Sequence, residues 1–297
     1  MLQPPRRGLL VGVDGSAAAL GAVRWAARDA ALRNVPLTLV HVVDPPTPGW
    51  FQATALAGFK RWQEERAREF INSAIKVAEE SSGERGAVQI DSKVFHSATV
   101  PTLVGLSKEV EMVVVGYRGH GGVLVRSFLG SVSSGLVYHA HCPVAVIHDE
   151  EPLIGNVARA PVLVGIDGSS ASEAATAIAF DEASRRDVGL IALHAWTDLR
   201  ISDFKEVFPN FDWDVGLSKE EEALAERLAG WQERYPQVGT RRRIEIGDPA
   251  RWLIEASERA QLIVVGSHGR GGFAGMLLGS VGAAVVNRAK IPVIVAR

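Results

Sequence analysis

One block of sequence occurs twice in this chain, and that repeat limits the fold more than any other feature. LLVGVDGS, ending at Ser16, returns as VLVGIDGS, ending at Ser169, and His41 returns as His194; both pairs are 153 residues apart. VVVGYRGHGG, with Gly116, Gly119, Gly121 and Gly122, returns as IVVGSHGRGG, with Gly266, Gly269, Gly271 and Gly272, at an offset of 150. LGSV at 129–132 returns at 278–281, an offset of 149, and CPVAVI at 142–147 matches IPVIVA at 291–296. Blocks in one order at a nearly constant offset mean that a whole domain was duplicated. A chain of 297 residues suits two domains. Their boundaries read as 1–148 and 162–297. The linker at 149–161 holds acidic residues, prolines and Gly155 without an apolar period.

Each half alternates strand and helix signals. In the first half, residues 9–13, 37–43, 88–95, 112–115 and 144–147 read as strands, several of them continuous apolar runs of the kind buried on both faces. Helices are predicted over 16–33, with Ser16 as N-cap, and over 59–80, 101–109 and 131–139. The second half repeats the order. Its long helix carries Leu224, Leu228, Trp231 and Tyr235 along one face. This alternation predicts an α/β fold: a parallel sheet in each half with helices on both faces, and ligands outside the carboxyl ends of the strands.

Composition excludes several classes of function. A formal net charge of −2 gives no overall attraction to nucleic acid or anionic membrane. The single cysteine, Cys142, rules out a disulfide framework or a thiolate zinc site within one chain, and points to a reducing compartment. Its counterpart is Ile291, so it reads as apolar filler. The apolar stretch 8–13 is too short for a signal peptide, and no window is long enough to span a bilayer. The expected location is cytoplasmic. The first turn is not G-x-G-x-x-G, no Gly-Lys-Ser/Thr follows a glycine loop, and H-E-x-x-H and G-x-S-x-G are missing. No catalytic residue and no protein-held metal site is assigned. The tryptophans are expected to serve packing.

Three motifs fall at strand carboxyl ends in each half. The first runs from Gly12 through Asp14 to Ser16, and again from Gly165 through Asp167 to Ser169. An aspartate there accepts hydrogen bonds from ribose hydroxyls or holds a hydrated cation; it also opens and caps a helix. The second is the glycine loop after strand four, leading to Gly130-Ser131 and to Gly279-Ser280. Successive backbone N–H groups in such a loop, with a helix N-terminus behind them, form an anion cradle. The third is His41-Val42 and His194-Ala195 at the end of strand two, where a lone histidine is more often structural.

V-G-x-D-G-S after strand one, with G-x-x-G, nine residues and G-S after strand four, resembles the universal stress protein family, twice over almost the whole chain. The resemblance implies a five-stranded Rossmann-like sheet of order 3-2-1-4-5 in each half, related to the adenine nucleotide alpha hydrolase-like folds. It implies ATP, commonly with Mg2+, and a homodimer formed through the last strand. Asp14 and Asp167 would sit near ribose and phosphates. The backbone of Val42 and Ala195 would meet adenine, and the glycine loops with Ser131 and Ser280 would hold phosphate. Asp198 and Val281 belong to the same candidate set. The first half departs in one respect: ten residues, 120–129, separate Gly119 from Gly130, where the second half has nine. That predicts a weaker first site; if the extra residue bulges outward instead, the cradle survives and Arg126 still reaches a phosphate oxygen. The leading expectation is a nucleotide-dependent regulator in stress adaptation or growth control. The competing ones are an ATP hydrolase or ATP-dependent ligase on the same fold, and a structural pseudo-dimer without nucleotide.

Overall fold

The computed structural model describes residues 8–45, 53–83, 88–119, 129–148, 159–196, 213–270 and 277–297. The chain divides into two compact units, Met1–Pro152 and Leu153–Arg297. Residues 149–158 of the expected linker lie outside the described residues.

Unit 1 contains β1 (Leu9–Gly12), α1 (Ala17–Arg33), β2 (Leu37–Val43), α2 (Ala53–Ser82), β3 (Ile90–His96), α3 (Thr99–Leu106), β4 (Met112–Gly116), α4 (Ser131–His139) and β5 (Val144–Ile147). Unit 2 repeats this with β6 (Val162–Gly165), α5 (Ser170–Arg186), β7 (Leu190–Ala195), α6 (Trp213–Arg234), β8 (Thr240–Glu245), α7 (Pro249–Ser257), β9 (Leu262–Gly266), α8 (Ser280–Arg288) and β10 (Val293–Ala296). The strand order is β3-β2-β1-β4-β5 in unit 1 and β8-β7-β6-β9-β10 in unit 2. Every pairing within a unit is parallel.

This order places the site. From β1 the chain steps to β2 and then β3 in one direction; from β4 it steps to β5 in the other. Crossovers between parallel strands are right-handed. Helices made while moving one way therefore cover one face of the sheet, and those made while moving back cover the other. Accordingly α1 packs with α2, and α3 with α4. The direction reverses between β1 and β4, and between β6 and β9. The helices part there and leave a crevice at the strand carboxyl ends.

Local chemistry sets the helix starts. Ser16 Oγ accepts the Ala19 N–H at 3.1 Å and Ser169 Oγ accepts that of Ser172 at 3.1 Å, so both serines are N-caps. Asn34 and Asp187 end these helices in the left-handed region, at φ 55° and 54°. Ala22, Ala26 and Ala30 are fully buried, and their small side chains let α1 lie close on the sheet. Helix α3 begins at Thr99, earlier than the expected 101, because Asp44 at the end of β2 caps it from a distance. Its carboxylate accepts the Thr99 N–H at 3.1 Å and the Thr99 hydroxyl at 3.0 Å. Pro101 then falls in the first turn, where its missing N–H costs nothing. In unit 2 the same helix carries its own cap, Asp248, which accepts the Ala250 N–H at 3.0 Å. The outer strand β8 presents Arg241 and Arg242 to solvent, charges that discourage pairing at a sheet edge.

Candidate functional site

The turn after the first strand of each unit is held by its own residues. Gly15 and Gly168 lie at φ 79° and 81°, a conformation that L side chains rarely adopt. Asp14 Oδ1 accepts the Ser16 N–H at 2.9 Å, and Asp167 Oδ1 accepts the Ser169 N–H at 2.9 Å. The carboxylate thus shapes the turn that the serine caps. In unit 2 the second oxygen, Oδ2, accepts the Arg270 N–H at 3.1 Å and so joins this turn to the glycine loop. Burial pushes the Asp167 carboxyl upward. Hydrogen bonds from Ser169 and Arg270 and the Arg270 charge outweigh it, and the group sits below its ordinary value.

The glycine loop is closed at its base alike in both units. The Gly130 N–H donates to Tyr117 O at 2.9 Å, and the Gly279 N–H to Ser267 O at 2.7 Å. A Cβ at Gly130 would lie 3.4 Å from the Arg118 Cα; at Gly279 it would lie 3.4 Å from the His268 Cα. A Cβ at Gly119 would collide with Asp14 Oδ2, and at Gly269 with Asp167 Oδ2 at 2.5 Å. The ends of the two loops are therefore placed equivalently. The extra residue of the first loop belongs to a stretch of which 120–128 lie outside the described residues. Helices α4 and α8 follow Gly130 and Gly279, neither of which supplies a side-chain cap. Their first-turn N–H groups and positive dipole ends face the crevice.

In unit 2 these parts enclose a cavity of about 580 Å³. Gly165, Asp167, Ala195, Gly266, Gly269, Gly279, Ser280 and Val281 all line it. Their counterparts Gly12, Asp14, Val42, Gly116, Gly119, Gly130 and Ser131 occupy the same points of unit 1 by repeat and topology. Asp198, Gly271 and Gly272 lie outside the described residues, as do Gly121, Gly122 and Arg126. The wall also includes residues that sequence reasoning passed over: Ser172, Trp196, Pro249, Leu253, His268 and Arg270. Trp196, expected to serve packing, is one of them. Ser172 was legible as the residue three beyond the cap; its hydroxyl accepts the Asp167 and Gly168 N–H groups at 3.2 and 3.3 Å. Pro249 and Leu253 had no local signal, because they reach the cavity from the opposite face of the sheet.

The model of the Universal stress protein family matches residues 5–148 and 159–297. The chain belongs to the universal stress protein family. A universal stress protein of Mycobacterium tuberculosis (strain ATCC 25618 / H37Rv) is 55% identical over 290 residues, covering 98% of this chain and 96% of that protein. One of Mycobacterium bovis (strain ATCC BAA-935 / AF2122/97) is 50% identical over 298 residues, covering 100% and 99%. The crystal structure of a universal stress protein from Archaeoglobus fulgidus DSM 4304 shares the fold, with a TM-score of 0.71 at 19% identity over 98% of each chain. The α/β fold and the tandem of two universal stress protein domains are thereby shown. Among the described residues no helix is long and apolar enough to cross a membrane.

Within each universal stress protein unit the histidine near the end of the second strand is structural. His41 Nδ1 donates to Val13 O, and His194 Nδ1 to Ile166 O, both at 2.6 Å. Each ring pins the end of the second strand to the turn that carries the aspartate. His194 Nε2 also lies 3.3 Å from Glu220 on α6. Cys142 is fully buried.

Gly116 and Gly266 also have a packing role. Gly266 was read as part of the loop that holds phosphate. A Cβ there would meet backbone: Ala171 C at 2.8 Å, Ala171 O at 2.9 Å and Ser172 N at 2.9 Å. At Gly116 the obstacle is Ala18 C and O, both at 2.6 Å. These glycines let the fourth strand of each unit touch the first turn of its first helix.

Proposed function

We propose that the protein binds an adenine nucleotide in each unit, ATP with Mg2+, and acts as a cytoplasmic, nucleotide-dependent regulator in stress adaptation or growth control. One observation carries the reading. The carboxylate of Asp167, the ends of the glycine loop and the N-terminus of α8 converge on one cavity of about 580 Å³ at the switch point of the sheet. That volume is within the range of small-molecule sites, roughly 300–1,000 Å³. Acceptor, apolar wall and N–H cradle correspond to ribose, base and phosphate. Among the described residues no three His, Cys, Asp or Glu side chains gather as a metal site. Mg2+ would therefore arrive on the phosphates, as it commonly does.

The proposed role is binding rather than turnover. Asp167 accepts N–H groups on both oxygens and is held below its ordinary pKa, which makes it a weak base. The ring partner of His268 is the Ser267 hydroxyl, at 3.0 Å. The test is calorimetric titration with ATP and Mg2+ of protein shown to carry no residual nucleotide, beside an assay for released phosphate. The expected result is saturable binding with no multiple turnover. A flat titration would overturn the reading.

A further inference from the structure

We infer that Asp167 and Ser169 are positioning residues for the phosphates in unit 2: they fix the stem of the glycine loop, residues 267–270, through contacts of the fold itself. The inference rests on the nucleotide reading and deepens it. That reading gives the Asp167 carboxylate the ribose. The geometry gives it a further task, which acts on phosphate through the backbone of other residues.

Two side chains of one turn reach across to the stem. Asp167 Oδ2 accepts the Arg270 N–H at 3.1 Å, and the Ser169 hydroxyl donates to His268 O at 3.3 Å. The residues so joined are 103 and 99 positions apart in sequence. One bond takes a carbonyl and the other an N–H two residues further on, so together they set the direction of the stem as well as its distance. A third bond ties its base to the start of the next helix, from the Gly279 N–H to Ser267 O at 2.7 Å. His268, Gly269 and Arg270 line the cavity with Gly279, Ser280 and Val281. The stem and the N-terminus of α8 are thereby set against one another.

Gly269 shows how closely the turn stands to the stem. A Cβ there would lie 2.5 Å from Asp167 Oδ2, so glycine is what leaves room for the carboxylate. The Asp167 carboxyl is held below its ordinary value and is ionised at neutral pH. A hydrogen bond to an ionised acceptor is roughly twice as strong as one between neutral groups. The consequence for binding is energetic. A backbone segment that is ordered only on binding lowers the affinity, and a stem already held by the fold does not. That benefit goes to ligands that carry phosphate. The apolar wall that suits a base comes from elsewhere, from Leu193 on β7 and from Pro249 and Leu253 on α7.

The test uses the full chain and two variants, each checked for an intact circular dichroism spectrum. Asp167→Ala removes both acceptors, while the Ser172 hydroxyl still holds the N–H groups of residues 167 and 168. Gly269→Ala keeps the carboxylate but pushes it off the stem. The first readout is hydrogen exchange of the Arg270 amide in nucleotide-free protein, expected to quicken by at least about tenfold in both variants, the usual worth of a bond to a charged acceptor. The second is calorimetric titration with ATP and with adenosine, each with Mg2+. At one of two sites the preference for ATP over adenosine is expected to fall by at least about tenfold. A carboxylate that served ribose alone would weaken both ligands by the same factor. An unchanged ATP-to-adenosine ratio in both variants would therefore overturn the inference, as would unaltered exchange at Arg270. A parent chain that binds no nucleotide would overturn the functional reading itself, while exchange at Arg270 would still show whether Asp167 fixes the stem.

Discussion

At the scale of single residues, glycines of the same motif have different jobs. Gly12 is open: an added Cβ would make ordinary contacts with Leu103 and Val115 at 3.6 Å. Gly116 is closed by the Ala18 backbone. Gly12→Ala should therefore leave stability within about 1 kcal/mol of the parent, with lost chain entropy in the unfolded state acting in its favour. Gly116→Ala should lower it by about 1–3 kcal/mol, as overpacking does. Urea unfolding of the two variants checks the contrast, and equal midpoints would contradict it. Asp167 supplies a prediction in pH. Its pKa is lowered in the fold, so its stabilisation is complete above the unfolded value, about 3.9, and is lost as pH falls through the lower folded value. The stability difference between the parent and Asp167→Asn should be constant above about pH 5 and shrink below about pH 4. A difference that grows on acidification would reverse the sign of this assignment.

At the scale of elements, most of each helix and strand was legible because it rests on local pattern. The starts of α1 and α5 were readable from Ser16 and Ser169, whose side chains act within three residues. Ser169→Ala should cost about 1 kcal/mol, the usual worth of such a cap. It should cost slightly more than Ser16→Ala, because the Ser169 hydroxyl also donates to His268 O at 3.3 Å. Chemical denaturation of both variants decides this, and a larger loss for Ser16→Ala would be inconsistent with the second bond. The start of α3 was misread for a physical reason: its cap, Asp44, is 55 residues away. Two buried ion pairs also escaped notice, Asp29–Arg33 at 2.6 Å and Glu182–Arg186 at 2.7 Å, again 153 residues apart. Their i, i+4 spacing is visible in sequence, but on a helix surface such pairs are usually solvated, and only packing shows that Asp29 and Glu182 are almost fully enclosed.

At the scale of the whole molecule, duplication implies two sites in one chain. Calorimetry should return a stoichiometry of two adenine nucleotides per chain. A single equivalent would show that only one unit is competent. Self-association, which the family resemblance implies, predicts a light-scattering mass about twice the 31.8 kDa of one chain. A constant monomer mass at micromolar concentrations would refute it.

The sequence by itself determined the duplication, the alternation of strands and helices, and the aspartate and glycine positions at strand ends. These depend on spacing along one chain, and the repeat doubled every signal. Tertiary structure decided which of those residues share a cavity, and which glycines also press against a neighbouring backbone. It also brought Trp196, Pro249, Leu253 and His268 to the cavity wall from separate elements. None of this is encoded locally. Strand order and crossover handedness bring together groups far apart in sequence.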